Sequence, residues 1–178
     1  MSRKDFLLVL VGTFFVLVQF NLRIGNVTID IFHDVLGFIL IVAGAAGMAG
    51  NSKFFKKTRN YAIGGIVAAG LVQWFNTMDF SEYANEAAAV KVGLIAFFFI
   101  YVTYYFTEGI IEYAKMDNNL ALTRNFRMGW LVFSGTYFLY FLALMSGVAN
   151  LSLIVNIVVY VAGLYHIFNM YNSTKTLF

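Results

Sequence analysis

Asp30, His33, Asp34 and Gly37 are spaced i, i+3, i+4 and i+7, so on a helix they share one face. Gly44 and Met48 continue the same line. Two carboxylates and an imidazole are donors suited to a cation, to zinc or manganese, or to a proton relay. Glu82 and Glu86 lie on the same side of the predicted membrane and extend this candidate ligand-binding group. A second reading of the same residues is a helix N-terminus. Asp30 then caps the helix, the acids complement the positive end of its dipole, and His33 is an interfacial side chain. Either way Asp34, about one turn into the helix, must face the bundle or water, because a bare carboxylate in lipid is costly.

Further polar groups fall at membrane depth. Tyr101, Tyr104 or Tyr105, Glu108 and Glu112 recur at three- and four-residue spacing. Glu108 there is either a proton-coupling carboxylate or an interfacial acid matched by Lys115, His166 or Arg127, with Glu112 in water. Asn156 is expected to hydrogen-bond across helices, and His166 to sit near the inner interface. One histidine with scattered acids does not make a metal set, so no metal is assigned. Serine-triad spacing, a P-loop and a dinucleotide-binding glycine pattern are all missing from the sequence. With Cys absent, thiol catalysis, disulfides and thiolate metal sites are excluded. Nothing argues for an enzyme, and no cofactor is expected.

The elements that must position these residues are membrane helices. Of 178 residues, 61% are hydrophobic and only 12% charged, about half the usual charged share. Mean hydropathy is +0.76. A water-soluble domain of this size could not bury so much apolar surface. The expected fold is all-α: a single transmembrane domain, residues 1–178, built as a six-helix bundle. The spans are expected at about residues 6–22, 31–50, 61–78, 92–111, 128–148 and 151–170. Gly25 and Asn26 form a turn pair in the first connector, over residues 23–29. Polar breaks occupy 51–60 and 115–127. Asp79 and Glu82 read as a capping box that starts the fourth helix before its membrane part. Residues 146–150 join the last two spans as a tight hairpin.

Charge sets the orientation. With the N-terminus in the cytoplasm, ten of the twelve Lys and Arg residues lie inside. They are Arg3, Lys4, Lys53, Lys56, Lys57, Arg59, Lys115, Arg124, Arg127 and Lys175; Arg23 and Lys91 lie outside. Both termini are therefore cytoplasmic. The net charge of +3 reflects these topology signals, and no basic stripe with interleaved aromatics is present to hold a nucleic acid. Small residues Gly37, Ala43, Gly44, Gly47 and Gly50 permit close helix approach. Ala43-x-x-x-Gly47 and Ala46-x-x-x-Gly50 are pairs that serve packing within the chain or contact with a second copy or another subunit. A faint echo links Gly12-Thr13-Phe14-Phe15 with Gly135-Thr136-Tyr137-Phe138, and Val42-Ala43-Gly44 with Val161-Ala162-Gly163.

The stretch Ile29-Asp30-Ile31-Phe32-His33-Asp34-Val35-Leu36-Gly37-Phe38-Ile39-Leu40-Ile41 resembles a motif of small uncharacterised integral membrane proteins of Gram-positive bacteria. Asp30, Asp34 and Gly37 match it, and His33 stands where that group has Pro. The resemblance implies a multi-pass protein of a bacterial cell membrane and carries no activity. The overall plan is also similar to the substrate-capture subunits of vitamin transporters. Their first helix carries an Ala-x-x-x-Ala pairing motif, whereas residues 6–22 contain no alanine. Two functional expectations follow. One is a non-enzymatic subunit or accessory partner in the bilayer. The other is capture or transport of a small polar or cationic solute at an outward vestibule of Asp30, His33 and Asp34.

Because the chain has no native cysteine, a single Lys56→Cys substitution reports orientation directly. A membrane-impermeant maleimide is expected to leave it unlabelled in intact cells and to label it after lysis. Labelling in intact cells reverses the topology.

Overall fold

The computed structural model describes the backbone of residues 1–18, 21–24, 27–30, 34–76, 78, 83–116 and 120–178. Among these the chain forms α1 (Arg3–Leu17), β1 (Asn21–Ile24), β2 (Val27–Asp30), α2 (Asp34–Met48), α3 (Lys53–Phe75), α4 (Ala84–Met116), α5 (Leu120–Met145) and α6 (Ala149–Leu177). The six helices carry the fold. Three of them are long and apolar enough to cross a membrane, over Asn85–Tyr113, Thr123–Met145 and Asn150–Asn172. Their outward surfaces expose Leu131, Phe138, Leu142, Leu153, Ile157 and Val161, side chains that suit contact with lipid.

The first connector differs from expectation. It is an antiparallel hairpin in which Asn21 pairs with Asp30, Leu22 with Ile29, Arg23 with Thr28 and Ile24 with Val27. Ile24, Val27, Thr28 and Ile29 are β-branched and favour extended backbone. The two residues between the strands are Gly25 and Asn26, which lie outside the described residues; a two-residue link is the commonest hairpin length. The hairpin shortens the flanking helices. α1 and α2 are 15 residues each, about 22 Å at 1.5 Å per residue, instead of residues 6–22 and 31–50. Asp30 ends a strand, so it neither caps α2 nor shares a helical face with Asp34.

The polar breaks are also shorter than the sequence implied. Residues 53–60 form the first two turns of α3, and its N-cap is Ser52, whose Oγ accepts from the Phe54 amide at 3.0 Å. α4 runs on to Met116 and α5 starts at Leu120, so most of 115–127 is helical. Lysine and arginine are good helix formers, and polarity alone does not end a helix. The last two helices are joined as expected, through a turn with Gly147 at φ 69°, a left-handed conformation that glycine adopts without strain. The Asp79–Glu82 capping box lies outside the described residues.

Each helix packs on the next, and α6 returns to α1, closing a ring. The α1–α6 seam is the most sparingly packed. α4 reaches every other helix through side chains. Phe106 meets Phe6 of α1 at 5.4 Å between ring centroids and Phe55 of α3 at 6.1 Å. Phe99 meets Phe38 of α2 at 6.5 Å and Phe133 of α5 at 5.7 Å, and Thr107 meets His166 of α6. In lipid, helices gain little from hiding apolar surface, so close van der Waals fit must hold them together. Glycines supply that fit. A Cβ on Gly12 would sit 2.5 Å from the Gly37 carbonyl oxygen, and one on Gly37 would sit 2.6 Å from Val16. α1 and α2 thus touch backbone to backbone.

Gly12→Val is expected to cost about 1–3 kcal/mol or more, because the obstructing atom belongs to the α2 backbone. Gly135 has open space around it, so Gly135→Ala is expected to change stability by less than about 1 kcal/mol, in the stabilising direction. Unfolding in mixed-detergent titrations reads both.

Candidate functional site

Two polar groups lie inside the bundle. The first is at the start of α2. Asp34 is buried, 7% exposed, on the face that also carries Gly37, Phe38, Ile41, Gly44 and Met48. Tyr137 of α5 is buried as well and lies within electrostatic reach of the Asp34 carboxyl and of Tyr140 and Tyr160. Asp34 is engaged by its surroundings. Tyr137 is held in place by ring contacts with Phe133 at 5.5 Å and Phe99 at 6.1 Å. An acid beside a phenol with further aromatic rings around it is a combination that suits an organic cation.

The structure brings Asp34 into this group and leaves its predicted companions elsewhere or undescribed. Asp30 belongs to the hairpin, and nothing of its side chain is described. His33 and Glu82 lie outside the described residues. Glu86 is exposed in the first turn of α4. Among the described residues no three His, Cys, Asp or Glu side chains converge as metal ligands. The sequence reading missed Tyr137, Tyr140 and Tyr160. Only the i, i+3 spacing of Tyr137 and Tyr140 hinted at a shared face.

The second group lies toward the other end. His166 is 1% exposed, and its Nε2 lies 3.4 Å from Thr107 Oγ1. Its ring stacks on Phe133, with centroids 6.0 Å apart and planes 8° apart. Its Nδ1 has no hydrogen-bond partner among the described residues. Gly129 makes room for it: a Cβ there would sit 3.2 Å from Nδ1. His166 is thus a core side chain, where the sequence placed it at an interface. Thr103 accepts from Trp130 Nε1 at 3.3 Å, one turn along α4.

Glu108 and Glu112 have separate partners. Arg127, one of the three expected counter-groups, grips Glu108 with Nε at 3.2 Å and Nη2 at 3.1 Å. Glu112 was expected in water; instead it accepts from the Ser52 hydroxyl, tying the α3 cap to α4. Tyr101, Tyr104 and Tyr105 pack rather than line a site. Tyr61 stacks on Tyr101 at 5.0 Å, Tyr104 meets Trp130 at 4.9 Å, and Lys57 Nζ sits 5.0 Å above the Tyr105 ring. Asn156 is half-buried on α6.

The small residues divide in the same way. Gly37, Gly44 and Gly47 face α1: a Cβ on Gly44 would sit 2.7 Å from Val9, and one on Gly47 would sit 2.5 Å from the Asp5 carboxyl. Ala43, Ala46 and Gly50 are exposed. The echoed segments occupy different surroundings, since Gly12 is buried against Gly37 while Gly135 is exposed.

No family model, curated protein or solved structure matches this chain.

Replacing His166 by Phe removes a buried nitrogen that lacks a partner and keeps a ring on Phe133, and it also takes the imidazole away from Thr107 Oγ1. The two effects oppose each other, so stability is expected to change by less than about 1 kcal/mol, as measured by unfolding in detergent. Because the Arg127 side chain is 55% exposed, Arg127→Gln is expected to cost less than about 1 kcal/mol, and less still at high salt.

Proposed function

We propose that this chain is a six-span membrane protein with both termini in the cytoplasm, acting as a non-enzymatic subunit or accessory partner within the bilayer. The observation that carries this reading is the filled axis of the bundle. Phe6, Phe38, Phe55, Phe99, Phe106, Phe126 and Phe133 are all buried and come from α1, α2, α3, α4 and α5. A translocation route along that axis would require several of these rings to move. The distribution of Lys and Arg supports the orientation. α1 and α2, about 22 Å each, are shorter than the ~30 Å apolar core. The exposed Ala43, Ala46 and Gly50 offer a small-residue strip on α2 to a partner helix.

A second reading is favoured by one observation, the burial of Asp34 within electrostatic reach of the buried Tyr137. That reading is capture of a small organic cation. Reconstituted vesicles separate the two. Under the leading reading, tetramethylammonium and choline uptake into vesicles holding the protein equals that of empty vesicles, and Asp34→Asn changes nothing. Saturable binding or uptake that Asp34→Asn abolishes, in a variant with wild-type thermal stability, replaces the first reading with the second.

A further inference from the structure

The α1–α6 seam holds an apolar groove of about 630 Å³, lined from α1 by Leu7, Leu10 and Phe14 and from α6 by Leu164, Phe168 and Tyr171. At one end Phe178 packs edge-on against Phe6, with centroids 5.8 Å apart, and draws the end of α6 onto the start of α1. Arg3 precedes Leu7 by four residues and Leu10 by seven, so it lies on the same helical face as the groove lining. Arg3 and Lys4 are both exposed, and among the described residues neither has an ion-pair partner. The nearest acid in sequence, Asp5, turns away to Gly47 of α2. The groove is therefore greasy along its length, with fixed positive charge at one end.

We infer that this groove is a binding site for an anionic phospholipid. Its acyl chain lies between α1 and α6, and its phosphate meets Arg3 and Lys4. Charge complementarity selects this occupant. A partner transmembrane helix would gain from the apolar lining but not from two unneutralised cations one turn beyond it, whereas a phosphate uses both. An acyl chain also accounts for the loosest seam of the ring: the lipid supplies packing that the two helices do not supply each other. The inference needs α1 and α6 to lie in a bilayer and is independent of whether the protein has a partner subunit.

The test is native mass spectrometry of the full chain in mild detergent, titrated with phosphatidylglycerol or with phosphatidylcholine of the same chain length. Phosphatidylglycerol is expected to be retained more tightly. The Arg3→Gln/Lys4→Gln double variant is expected to lose about 30-fold in phosphatidylglycerol affinity at low salt and little for phosphatidylcholine. Lys53→Gln/Lys56→Gln, which removes equal charge from α3, is expected to change neither. Val11→Trp, which fills the groove from α1, is expected to weaken both lipids while thermal stability is kept. Equal retention of the two lipids by the wild type overturns the proposal. So does undiminished phosphatidylglycerol binding by the Arg3/Lys4 variant. A Val11→Cys variant that forms disulfide dimers in native membranes also overturns it, because the groove is then filled by a second copy.

Discussion

Aromatic rings seated over glycines hold this bundle together. In water, the six helices would associate to hide apolar surface. In a bilayer that gain largely vanishes, because lipid tails are as apolar as leucine. What remains is contact between surfaces that fit, and here the fit is between flat rings and bare backbone. The Phe38 ring occupies the space a side chain on Gly65 would need, and Phe55 does the same at Gly109, where a Cβ would lie 2.6 Å from the ring. Each such pair draws two helices together while filling the gap between them. Phe99 and Phe106 then link these seams through α4, which explains why that helix sits at the middle of the contact network.

The polar groups are arranged around this aromatic axis. Tyr137 and His166 both contact Phe133, Tyr137 edge-on at 5.5 Å and His166 stacked at 6.0 Å, so the two groups meet across a ring that neither donates nor accepts hydrogen bonds. Thr103 avoids a polar cost on α4 by local means, its Oγ1 donating to the Phe99 carbonyl oxygen at 3.0 Å, while Thr107 meets the His166 imidazole of α6. Ser52 and Glu112, and Arg127 and Glu108, then fasten the ends of α3, α4 and α5 where water is within reach.

The sequence by itself determined that the chain is helical and suited to a membrane, and roughly where its apolar segments lie. Composition and run length carry those facts, because a 20-residue apolar stretch has few alternatives in water. The inward face of α2 was legible from Asp34 onward, since Gly37, Gly44 and Met48 keep a 3.6-residue period. Tertiary structure decided the rest. The hairpin at Asn21–Ile24 and Val27–Asp30 depends on strand pairing, which a short β-branched run does not announce within apolar sequence. It removed Asp30 from the helix and broke the spacing that had suggested a shared acidic face. Tyr137 comes from α5, more than a hundred residues from Asp34, and only the packing of the helices brings the two within electrostatic reach. His166 became a core residue for the same reason: its burial depends on Gly129 and Thr107 of neighbouring helices, and spacing along one helix says nothing about what packs against it.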